Sequence, residues 1–159
     1  MRWPFRKREE TRPVVGAVAL TDDEQEECQA LWQTLTRADG GYYAMPEDLI
    51  DPFKRSIIAL CLMGRAERFL ILSPDQQSCG QACEAAAKAC AIFPLSIYFY
   101  DFAVVLKRSG RVDESKAMFG ECLRLSQTEK IGPVEQITLR QRDVEALLQH
   151  ARRELAARS

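Results

Sequence analysis

The chain contains a single histidine, and that scarcity already narrows its chemistry. A histidine-based metal centre has no ligands to draw on. The eight glycines are scattered through 159 residues and form no phosphate-cradling loop. Neither sign of charge dominates. The 22 Lys and Arg face 23 Asp and Glu, a formal net charge of −1, which argues against a surface built to neutralise nucleic-acid phosphates. No apolar run nears the roughly 18–20 residues that span a bilayer, the longest being Val14 to Leu20 and Ile57 to Met63. Acidic residues follow the first of these at once, so a secretory signal is not expected. Alternating strand patterns are missing as well. What remains is an all-α chain with enough length for one substantial core.

Six cysteines are present, Cys28, Cys61, Cys79, Cys83, Cys90 and Cys122. The chain is long for a disulfide-stapled mini-domain, and these residues fall in apolar helical phase, where a thiol behaves as a small hydrophobe. Reduced, buried thiols and a cytoplasmic location are therefore expected. Cys79, Cys83 and Cys90 share one helix face, but only His150 is available to complete a zinc site, and no Cys-x-x-Cys pair occurs. Packing is their expected role, with no metal and no cofactor. A thiol enzyme or metal protein, built on a cysteine and His150, stays as an alternative that no spacing recommends.

Helix signals punctuate the rest. Residues 1–19 read as a flexible basic leader and 20–159 as a single helical domain. Thr21-Asp22-Asp23-Glu24 forms a capping box, followed by Cys28, Leu31, Trp32 and Leu35 on one face, with Gly40-Gly41 expected to end the helix. Asp51-Pro52 opens a second helix whose apolar residues lie all round, from Phe53 through Ile57, Leu60 and Cys61 to Met63; whether it stops at Gly64 or runs to Leu72 is open. Ser73-Pro74-Asp75-Gln76 is expected to cap a third, with proline in its first position. That helix carries Cys79, Ala82, Cys83, Ala86, Ala89 and Cys90 as a small-residue stripe, and Pro94 follows its end. Gly132-Pro133 is expected to open one last amphipathic helix bearing Val134, Ile137, Val144, Leu148, Ala151 and Leu155. Its arginines, Arg140, Arg142, Arg152 and Arg153, alternate with acidic residues and read as a solvated face.

Between these lies the most informative stretch, Ser96 to Gln127. Phe99 is an early aromatic, Phe102-Ala103 a large-then-small pair, and Leu106 completes the first apolar face. Gly110 turns the chain, Asp113-Glu114-Ser115 opens the next helix, and Phe119 and Cys122 continue it. In order and spacing this stretch resembles a tetratricopeptide repeat, with Gln127 standing where that family often has proline. The helix ending in Ala89 to Pro94 resembles the second half of a degenerate repeat, with the helix from Pro52 as its partner. The resemblance implies an antiparallel helical-hairpin bundle of about six or seven helices that binds other proteins.

In that family the first helix of a repeat lines the binding surface. Carried over, the surface consists of Ile97, Tyr100 and Val104 with Lys107 and Arg108 at its edge, suited to a peptide or helix with an acidic group. The alternative is that Tyr100 and Val104 pack on a neighbouring helix as core. A second copy of the chain, giving a homodimer, could equally close an apolar face of this kind. The expected function is non-catalytic protein interaction, as an adaptor, scaffold or small chaperone. The other reading is a peripheral membrane-associated assembly factor, using Trp3 and Phe5 among Arg6, Lys7 and Arg8 for weak contact with anionic lipid.

Overall fold

The computed structural model describes residues 20–34, 40–41, 51–72, 75–139 and 142–157, apart from the side chains of residues 137 and 138. Seven helices, and no strand, occur among the described residues: α1 (Asp22–Gln33), α2 (Pro52–Leu72), α3 (Gln76–Ile92), α4 (Ser96–Arg108), α5 (Val112–Ser126), α6 (Pro133–Leu139) and α7 (Val144–Ala156). The all-α expectation and the expected helix count both hold.

Local chemistry sets most of the boundaries. At α1 the capping box forms in both directions: the Glu24 amide donates to Thr21 Oγ1 and the Thr21 amide to Glu24 Oε1, each at 3.2 Å. The helix ends at Gln33 with Thr34 as its cap, short of the glycines expected to stop it. Asp51 caps α2 by accepting from the Lys54 amide at 2.9 Å. This helix then runs 21 residues, straight through Gly64. The apolar row Ala59, Leu62, Ala66 and Leu70 is buried on both sides of that glycine, and this packing outweighs the roughly 1 kcal/mol that a mid-helix glycine costs. All-round burial does not hold, because Leu60, Ile71 and Leu72 are exposed.

Two further boundaries differ from expectation. Asp75, not Ser73, caps α3, its carboxylate accepting from the Ser78 amide at 2.7 Å. The single closing helix is two. Asp143 caps α7 by accepting from the Ala146 amide at 3.1 Å, and a carboxylate cap needs non-helical backbone at its own position. Asp143 has that backbone, which separates α6 from α7.

The helices stack in order. Hairpins α2–α3 and α4–α5 have the closest internal packing; α4 also packs on α3 and α2, and α7 on α5 and α4. Gly110, at φ +81°, makes the tight turn of the second hairpin, and Ser115 Oγ donates to the Ala103 carbonyl at 2.7 Å across it. One continuous core joins these elements, with Phe119, Leu106, Tyr98 and Ile97 among its fully buried side chains.

The amino-terminal end of the stack is pinned by a buried ion pair, Lys88 Nζ to Glu24 Oε1 at 2.7 Å. Burial pushes the Glu24 carboxyl up, but Lys88 and the Thr21 donors more than offset this and hold it below its ordinary value. The pair therefore contributes stability above the unfolded carboxylate pKa of about 4.3 and loses it as pH falls through the lower folded value. Lys88→Met leaves the carboxylate buried without its counter-ion, held only by Thr21. It should destabilise the protein by about 3–5 kcal/mol at pH 7. The deficit should shrink towards pH 4 as the orphaned carboxyl takes up a proton, as measured by urea unfolding across that range.

Candidate functional site

Helix α4 carries the five residues expected to bind a partner, and the structure divides them. Ile97 is 0% exposed and Tyr100 8% exposed, so both belong to the interior of this chain, not to an open groove. Val104 is half-buried, while Lys107 and Arg108 are exposed. For Tyr100 the cause is α7. It packs on α5 and α4, and its Leu148 and Ala151 join the core.

Tyr100 is the centre of that closure. Its ring meets Phe119 edge-on at 5.6 Å between centroids and His150 at the same distance, and His150 also lies 6.0 Å from Phe119. The Tyr100 hydroxyl lies 2.6 Å from His150 Nδ1, and His150 Nε2 lies 3.2 Å from Glu154 Oε1. The tautomer with its hydrogen on Nε2 lets the phenol donate to Nδ1 and the ring donate to the carboxylate. Glu154 in turn accepts from Lys107 Nζ at 2.7 Å, and Lys107 holds its carboxyl below the ordinary range. Burial and the nearby Asp101 carboxylate push the Tyr100 hydroxyl up, with Arg142 opposing. The chain Tyr100–His150–Glu154–Lys107 thus runs from core to surface and ties α4 to α7.

A second polar link sits one residue along α4. Arg142 makes a two-pronged pair with Asp101, both contacts at 2.8 Å, so Arg142 is not part of a solvated face as expected. Burial pushes the Asp101 carboxyl up, and Arg142 offsets this only in part. Glu67 on α2 lies in the same field and is itself pushed up by burial and by Asp101. Just before Arg142, α6 packs against α2, with Leu139 buried and Val134 partly buried against the core. Helix α6 is therefore laid against the first helix of the earlier hairpin, and Arg142 is clamped to the first helix of the later one.

Several of these groups were not foreseen. The i,i+4 spacing of His150 and Glu154 is visible in the sequence, but Asp101–Arg142 joins residues 41 apart and carries no local pattern. Among the described residues, no group of three or more His, Cys, Asp and Glu could hold a metal ion, and no helix is long and apolar enough to cross a membrane. The proposed membrane contacts Trp3, Phe5, Arg6, Lys7 and Arg8 lie outside the described residues.

The burial contrast along α4 has a direct test. Tyr100→Ala should cost about 3–5 kcal/mol, as for a truncated core aromatic, whereas Lys107→Ala should cost no more than about 1 kcal/mol, as for an exposed ion pair. Equal losses in chemical denaturation would mean that Tyr100 does not pack as described. Compared with known proteins, the chain matches no family model, no curated protein and no solved structure, so its reading rests on its own residues.

Proposed function

We propose that this chain is a non-catalytic protein-interaction module, an adaptor or small chaperone of tetratricopeptide-like type, holding a peptide or helix of another protein. The observation that carries this reading is the stacking order. The first helix of each unit, α4 and then α7, packs on both helices of the unit before it, as in repeat arrays whose units bury their faces only against neighbours. Such arrays present a row of first helices to partners.

The chain's own α6 lies against α2, and Arg142 is paired with Asp101 on α4. Together they are an intramolecular example of a short apolar helix followed by a guanidinium. Val104, Lys107 and Arg108 form the outward edge, supported from beneath by Ile97 and Tyr100. An incoming segment with apolar side chains and an acidic group fits that edge.

The test is affinity capture from an extract of the native host, comparing wild type with a Lys107→Glu/Arg108→Glu double variant. Both positions are exposed, so circular dichroism should show the helices retained. A partner held by wild type should be lost from the variant. Identical proteins recovered with wild type and the charge-reversed variant would overturn the reading.

A further inference from the structure

Two of the six cysteines face each other across a helix pair. Helices α1 and α2 run antiparallel, as their contacts show in sequence: Glu27 meets Arg65 at 3.2 Å and Arg68 at 2.8 Å, and Trp32 meets Phe53 edge-on at 5.0 Å. Cys28 and Cys61 fall between these contacts in the same register, and each thiol acts electrostatically on the other. Ion pair above and aromatic pair below hold the two sulfurs together. Cys28 is buried and Cys61 half-exposed.

We propose that Cys28 and Cys61 are a thiol–disulfide switch, with Cys61 as the attacking sulfur, Cys28 as the resolving one, and hydrogen peroxide or an organic hydroperoxide as oxidant. In the first step the Cys61 sulfur attacks one peroxide oxygen. The O–O bond breaks, a sulfenic acid forms, and the departing hydroxide (or alkoxide) takes the thiol proton as water (or alcohol). In the second the Cys28 sulfur attacks the Cys61 sulfur and expels its hydroxyl, which leaves as water with the Cys28 proton. Two electrons pass from the sulfur pair to the peroxide, and the product is a bond stapling α1 to α2.

The environment assigns these roles. The Cys28 thiol, with Arg68 and Arg65 assisting, holds the Cys61 thiol below its ordinary range against burial and Glu27. Cys61 and burial in turn push Cys28 up. A half-exposed thiol of lowered pKa beside a second cysteine is the arrangement that oxidises first. Two deep cysteines are set the other way: burial pushes Cys90 up and Cys122 to about 12. Cys83 is buried with its thiol on Ser109 Oγ at 3.5 Å, out of reach of peroxide.

Peptide mapping of the reduced full-length protein after equimolar hydrogen peroxide tests the assignment. The non-reduced digest should contain one cross-link, between Cys28 and Cys61, reversed by dithiothreitol. Without peroxide, Cys61 should alkylate at least about tenfold faster than the other five cysteines. Cys28→Ser should leave a sulfenic acid trapped at Cys61 by dimedone, and Cys61→Ser should abolish both cross-link and trap. The wild-type map decides the matter even if a serine variant misfolds. A cross-link involving any other cysteine, oxidation of Cys61 without Cys28, or no cross-link at all would overturn the proposal.

Discussion

Small side chains along α3 set the spacing of the whole stack. Ala82, Cys83, Ala86, Ala89 and Cys90 are buried, and none projects far enough to keep a neighbouring helix at a distance. Helices α2 and α4 both pack on α3, so this one stripe fixes how the two hairpins meet. The large residues work from the other side of the contact: Phe99, Phe102, Leu106 and Phe119 fill the second hairpin around Ala103. Replacing any alanine of the α3 stripe with a branched residue would push hairpins apart and strain contacts on two helices at once. The later elements, α7 included, inherit their positions from that close approach.

Much of this was legible in the sequence because the signals are local. A capping box spans four residues, an acidic cap with proline two, and the turn glycine of the second hairpin one; each acts through backbone groups within reach of its own side chain. The apolar faces were legible for a related reason, since periodicity reports which side of a helix is dry. What periodicity leaves out is which neighbour makes it dry. Tyr100 has the same place in the pattern whether it faces an open groove or a covering helix. It is buried because α7 returns to α4 and α5, a choice made by contacts 50 residues away such as Tyr100–His150.

The closing helix shows the competition between local signals. Its apolar spacing runs through residues 140–143 without a break, yet Asp143 caps a new helix there, and Arg142 turns to Asp101. Two polar contacts of good geometry outweigh continuity of a stripe. The same weighing moved the α3 cap from Ser73 to Asp75, whose carboxylate reaches an amide at 2.7 Å. Charge at the candidate site follows long-range logic too. Asp101 with Arg142 and Glu154 with Lys107 come from three separate segments and neutralise one another in pairs, with Glu67 of α2 in the field of Asp101, which is why neither composition nor net charge disclosed them.

The buried Glu24–Lys88 pair has a meaning apart from its strength. Helix α1 meets the rest of the chain through a short apolar seam, and apolar seams tolerate sliding, because one methyl replaces another at similar cost. Charges do not. A slip of α1 by one turn, about 5.4 Å, would carry Glu24 away from Lys88 and leave a buried carboxylate without its counter-ion. The pair therefore acts as a detent: it makes alternative alignments of the first helix expensive even where it adds little to the depth of the correct one.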